Sequence, residues 1–202
     1  MLDLSFLQIL SRLIAIIIVL AVMGFSLAGF ARLLGDKGMI HDGKLSLNPL
    51  THIDIFALVA GVAGRIGWLR PVNIDPLECR GHRVAPVLAA IGAMTALFFL
   101  GRVAGVLQPW VATSWPTSSA SFATATLRAI GDTAGWTLAA NAIPVPPLLG
   151  GYLVQAIAPA THDWLVKRHS FVSFALSALV IFSYGSLSNT PFGGWASTLG
   201  RG

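Results

Sequence analysis

Charge is what this sequence has least of. Of 202 residues only 10% are Asp, Glu, Lys or Arg, against roughly a quarter in water-soluble domains. That scarcity excludes an ordinary soluble domain, and 55% hydrophobic residues with a mean hydropathy of +0.76 exclude a disordered chain. Cysteine is nearly absent too: Cys79 stands alone, so an internal disulfide and a Cys-based zinc centre both drop out. No block or stripe of basic residues occurs either. The thirteen Lys and Arg, which give a net charge of +5 and a pI near 10.2, are scattered between apolar runs. Membrane-flanking loops account for that pattern and a nucleic-acid surface does not. What remains is an all-α multi-pass membrane protein. It reads as a single integral membrane domain over 1–202, with the lipid bilayer and other integral membrane proteins as its partners.

Residues 13–31, LIAIIIVLAVMGFSLAGFA, carry no charge. At about 1.5 Å per residue they are long enough to cross a hydrocarbon core of about 30 Å. A second uncharged run, 84–101, ends at Arg102, and 103–119 reads as an uncharged loop with Trp110 and Trp115 at the interface. The third run, 133–161, is broken by Asn141, Pro144, Pro146 and Pro147. Prolines at that density leave carbonyls unpaired, which membrane depth tolerates only where the segment is buried in protein or lines a cavity. A fourth run extends from Ser170 to about Ser188, and 189–202 reads as a loose Gly- and Ser-rich tail. Lys37, Lys44, Arg65, Arg70, Arg80 and Arg83, six of the thirteen basic residues, lie in 35–83 and put that segment on the cytoplasmic side. Lys167 and Arg168 mark the next cytoplasmic connection, so four spans with both termini outside are expected. Within 35–83, residues 53–68 are apolar but carry Asp54 and Arg65, which fits a re-entrant or interfacial element better than a fifth span.

Four ordered motifs stand along this scaffold: MGFSLAGFARLLGDKG at the end of the first run, GKLSLNPLTHID at 43–54, GWLRPVNIDP at 67–76 and NAIPVPPLLGG at 141–151. Together, over roughly 20–155, they resemble the site-2 protease family of intramembrane zinc metallopeptidases, peptidase family M50. There an H-E-x-x-H helix runs into Leu-Gly-Asp, followed by an N-P-L-x-H-I-D loop, a G-W-x-x-P-V hairpin and N-x-x-P-x-P-P-L-D-G. The resemblance implies a site-2-protease-like core and a bacterial inner-membrane location. The chemistry of that family needs two histidines at i and i+4 as zinc ligands, a glutamate as general base and a distant aspartate as the further ligand. Counting back from Leu34-Gly35-Asp36, the histidine positions hold Met23 and Leu27, the glutamate position holds Gly24, and Leu149 stands at the aspartate position. Leu and Gly offer no ligand atom, and a thioether is a poor ligand for zinc. The resemblance therefore implies a pseudoprotease without metal or other cofactor, its former site filled by packing. The family's substrate-helix motif matches at Asn141, Pro144, Pro146 and Pro147, which makes these the candidate groove for a partner helix.

No second catalytic centre is legible. His41, His52, His82, His162 and His169 include no i, i+4 pair, and no serine sits in a nucleophile-elbow pattern. Arg128 and Asp132, four apart, are the candidate intramembrane ion pair. Ala57 with Gly61, Ala60 with Gly64, Gly92 with Ala96 and Gly101 with Gly105 are small pairs at helix-packing spacing. Trp68, Trp110, Trp115, Trp136, Trp164 and Trp195 lie near expected helix ends, as interfacial anchors do. The leading functional reading is an inactive accessory subunit or helix-binding module of a larger membrane complex. The alternatives are an active intramembrane protease with altered ligands, and a small transporter or lipid-binding protein using Arg128 and Asp132.

Overall fold

The computed structural model describes residues 5–187 together with 190, 194, 196, 198 and 199, so the tail expected over 189–202, with Trp195, lies largely outside the described residues. Helix α1 (Phe6–Leu33) starts at a capping box: Ser5 Oγ accepts from Gln8 N, and Gln8 Oε1 accepts from Ser5 N at 3.1 Å. It stops at Gly35, whose φ of +118° breaks the helical path. After the single turn α2 (Gly38–His41) and a 3-10 turn at Pro49–Thr51 comes α3 (Ile55–Gly64). An irregular stretch leads to α4 (Ala85–Ser114), and a two-residue turn at Trp115 and Pro116 sends the chain back as α5 (Thr117–Asn141). Short α6 (Gly151–Ile157) and α7 (Pro159–Lys167) precede α8 (His169–Leu187). The described residues form no strand; Ile53 and Leu69 make an isolated antiparallel bridge where the G-W-x-x-P-V motif suggests a hairpin.

The described residues are all-helical, as in a membrane protein, and of the four expected spans two are found as single long apolar helices. Among the described residues two helices are long and apolar enough to cross a membrane, Phe6–Leu33 and His82–Ser114, and Pro159–Lys167 with His169–Ser183, bent by 79°, make a third if they act as one span. The second span is longer than the run to Arg102 suggests, because Pro109 is carried inside α4 and the expected loop 103–119 is mostly helix. Membrane helices tolerate such a proline: its missing N–H takes the helical donor from the carbonyl of Gly105, four residues earlier, and the helix continues to Ser114. The expected third span, 133–161, is divided between the buried end of α5, an irregular proline segment and α6. Helix α5 has the length of a span, but its many Ser and Thr residues with Arg128 and Asp132 keep it less apolar than α1 and α4.

Helices α1, α4 and α5 pack together as the centre of the bundle, and α3 packs between α1 and α8. One apolar core gathers Ile16, Leu20, Met23 and Leu27 of α1 with Ala89, Ala93 and Leu97 of α4. A second joins Ala57 and Ala60 of α3 to Trp68, Trp136 and Val180. Trp68 and Trp136 are thus core residues and not interfacial anchors, whereas Trp110, Trp115 and Trp164 stay exposed. The close approach of α3 to α1 requires a glycine: a Cβ on Gly61 would collide with the Ile16 side chain.

Candidate functional site

The segment 53–74 dips along α1 and comes back. Its descending arm is α3, capped by Asp54, whose Oδ1 accepts from Phe56 N at 2.8 Å. The arm ends level with Arg12, whose Nη1 donates to Val62 O and Ala63 O at 3.1 and 3.3 Å. The C-cap is Arg65, left-handed at φ 60°. The chain then returns extended, past Ile16 and Leu20 again, to the bridge between Leu69 and Ile53. The short apolar run between Asp54 and Arg65 is thus a ten-residue helix with a returning arm, packed against α1; the expectation of a re-entrant or interfacial element concerns its place in a bilayer.

An extended arm at that position has backbone groups with no helix to pair them, and burying them unpaired would cost about 1–3 kcal/mol each. Side chains from α5 and α6 take them up. Thr137 Oγ1 accepts from Gly67 N at 3.0 Å and donates to Arg65 O at 3.4 Å. One turn on, Asn141 Nδ2 donates to Gly67 O and to Thr137 O, both at 2.8 Å, while its Oδ1 accepts from Leu149 N at 2.9 Å. Tyr152 donates its hydroxyl to Val72 O at 2.8 Å, and Gln155 Nε2 donates to Ile74 O at 3.2 Å. The positions 137 and 141, and 152 and 155, each lie on one helix face, so two helices present a row of polar groups to one strand-like arm. At the arm's start, Trp68 Nε1 donates to Ser173 Oγ at 3.2 Å, and that hydroxyl donates to Asp54 Oδ2 at 2.8 Å, tying the element to α8.

Asn141 is therefore a structural clasp: it is fully buried, both its amide hydrogens and its oxygen are engaged by this chain, and it is closed to a partner helix. The other groove candidates separate. Pro146 is buried and Pro147 half-buried, both facing a cavity of about 30 Å³ with Leu27, Leu149 and Tyr152, room for about one water. Pro144 is exposed, in a short apolar patch with Ile143 and Val145.

The four positions counted off the motifs meet in space. Met23, Leu27 and Leu149 are 0%, 1% and 2% exposed and share one apolar core with Tyr152. Above Gly24 lies the ring of His52, so close that a Cβ at 24 would collide with its Cγ and Nδ1. His52 is itself buried; its Nε2 donates to Ser46 O at 2.8 Å, which leaves Nδ1 as an acceptor with no hydrogen-bond partner among the described residues. Burial holds the imidazole pKa below its ordinary 6.5, and Lys44 adds to this against the opposing pull of the Ser46 carbonyl. Cys79 is also buried, and burial with the neighbouring Asp36 and Asp75 carboxylates pushes its thiol pKa up, away from reactivity. Among the described residues no three His, Cys, Asp or Glu side chains are grouped to hold a metal ion.

Arg128 and Asp132 do not form the expected pair. The carboxylate of Asp132 receives Arg65 Nη1 at 2.7 Å, from a residue 67 positions away. The i, i+4 spacing gives the right proximity, and Arg128 lines the same cavity as Asp132, but Arg65 is carried to the carboxylate by the C-cap of α3. Sequence reasoning missed Arg65 in this role, as it missed Thr137, Tyr152 and Gln155. The one signal present was a charged residue directly after the Gly64 end of an apolar helix.

No protein-family model matches the chain, and no solved structure does. Among curated proteins the chain is similar to one from Bacillus subtilis (strain 168) named "Putative zinc metalloprotease YwhC", 24% identical over 156 residues that cover 75% of this chain and 71% of the relative. This is a distant similarity, in agreement with the motif resemblance to the zinc metalloproteases of the site-2 protease type.

Proposed function

We propose that this chain is a catalytically inactive, site-2-protease-like membrane protein of the bacterial inner membrane that works as an accessory subunit or helix-binding module of a larger membrane complex. The observation that carries this reading is the packing at the four motif-counted positions: Met23, Leu27 and Leu149 lie in one apolar core, and the space above Gly24 is taken by His52. Side chains offering at most one thioether, a poor ligand for zinc, at the convergence of α1 and the 149 loop support a site without a catalytic water. The relative's name supports the ancestry of the scaffold and is silent on the ligands of this chain. In this reading the re-entrant element and its clasp are retained as architecture, and the exposed patch at Ile143, Pro144 and Val145 beside it is the surface offered to a partner helix.

The test is the composition of the native particle in mild detergent, with zinc measured on the same sample. The expected outcome is a defined assembly holding this chain in fixed ratio, with far less than one zinc per chain. About one tightly held zinc per chain, with cleavage of a transmembrane substrate, would replace this reading by that of an active protease. A lone, metal-free chain would end the subunit version.

A further inference from the structure

At the end of the bundle away from the 35–50 loop, the first turns of α1, the C-cap of α3 and the middle of α5 enclose a cavity of about 460 Å³. Three arginines line it, Arg12, Arg65 and Arg128, with Asp132 as the one carboxylate. Arg65 is committed to Asp132 at 2.7 Å, and Arg12 is anchored on the carbonyls of Val62 and Ala63. Arg128 is exposed and makes no ion pair or hydrogen bond among the described residues. Among the described residues the lining carries three guanidinium groups and one carboxylate. Arg12 directly precedes the uncharged run 13–31, so these charges stand at the boundary between the polar and apolar depths of a bilayer. The remaining walls are largely apolar, Leu7 and Phe122 among them.

We propose that this cavity binds a phosphate ester, and that its source is the headgroup of an anionic lipid. Guanidinium groups match phosphate oxygens in a fork geometry, and their weaker hydration makes them the cation of choice where water is scarce. A net positive pocket between helices at the headgroup boundary, with apolar walls to receive the glycerol and the upper acyl carbons, fits such a ligand in both polarity and depth. Asp132 has the role of holding Arg65 in place, and Arg128 is the free guanidinium that meets the phosphate. The proposal does not depend on the pseudoprotease reading, since none of its residues belongs to the Met23, Leu27 and Leu149 core.

The experiment uses the full chain in detergent, comparing retention of phosphatidylglycerol and phosphatidylcholine by native mass spectrometry and thermal stabilisation by inorganic phosphate. Arg128→Gln is the test variant, because its side chain is exposed and its loss leaves no buried partner. Arg80→Gln, an exposed arginine of the 35–83 segment, is the control. The expected result is about a tenfold preference for phosphatidylglycerol in the native chain and in Arg80→Gln, weakened by salt and lost in Arg128→Gln. Stabilisation by inorganic phosphate that Arg128→Gln abolishes, with no lipid preference, keeps the anion site and assigns it to a soluble phosphate. Equal retention of both lipids with no response to phosphate, or a preference untouched by Arg128→Gln, overturns the proposal.

Discussion

His52 shows how much a single side chain can say about its surroundings. Its ring is pressed onto α1 at Gly24, one nitrogen bonded to Ser46 and the other facing no donor. Protonation would place an unpaired cation in that spot, which is why the folded chain resists it. The unfolded chain, with an ordinary histidine near 6.5, binds the proton more readily. Stability therefore holds above about pH 6.5 and is lost as pH falls toward the lower folded value. Thermal midpoints of the detergent-solubilised protein are expected to drop over that interval, and His52→Gln is expected to flatten the drop. A native profile already as flat as that of the variant would contradict the geometry. A glycine at 24 is what admits the ring, since any Cβ there would collide with it.

Among the elements, the re-entrant segment is the most demanding, because one of its arms has no helical partner for its backbone. Asn141 meets that demand at the most buried point, and Asn141→Ala would leave Gly67 O and Leu149 N without partners. A loss of about 3 kcal/mol is expected, and hydrogen exchange should rise over 66–74 while α4 keeps its protection. Unchanged exchange on the arm would mean that Asn141 is not its clasp. Much of this element was legible in the sequence. A short apolar run bounded by Asp54 and Arg65 is too short to span, and the prolines after Asn141 called for burial or a cavity, which Pro146 and Pro147 have and the exposed Pro144 does not. The bonds across it were not legible, since Arg65 to Asp132 and Gly67 to Asn141 join positions about seventy residues apart, and no local spacing encodes such contacts. Helix α5 was misjudged for a related reason: its buried face mixes Ala, Gly and Thr with the polar Asp132 and Asn141 and only Ile130 and Trp136 as large apolar residues, so hydropathy marks neither its start nor its burial.

For the whole molecule, hydropathy marks α1 and α4 because each contains a long uncharged run; the other expected spans are not found as single long apolar helices among the described residues, because α5, α6 and α8 combine apolar stretches with breaks. Two crossings joined by the 35–83 segment put Leu47 and Trp115 on opposite sides. Cysteines introduced at these exposed positions, one at a time, are expected to react with an impermeant thiol reagent from opposite faces of the membrane. The native Cys79 is buried and contributes little background. Labelling of both from one face would remove one of the crossings.

Thr137, Asn141, Tyr152 and Gln155 take hold of carbonyls at 65, 67, 72 and 74, and of one amide, while the one charged side chain among those positions, Arg65, is held separately by Asp132. A grip on the backbone makes no demand on a side chain that points away from the core. Exposed positions on the arm, such as Asn73, are then free to drift over generations, while Thr137, Asn141, Tyr152 and Gln155 are not. A protein built this way can change the face it turns toward a neighbour without renegotiating how it is held together.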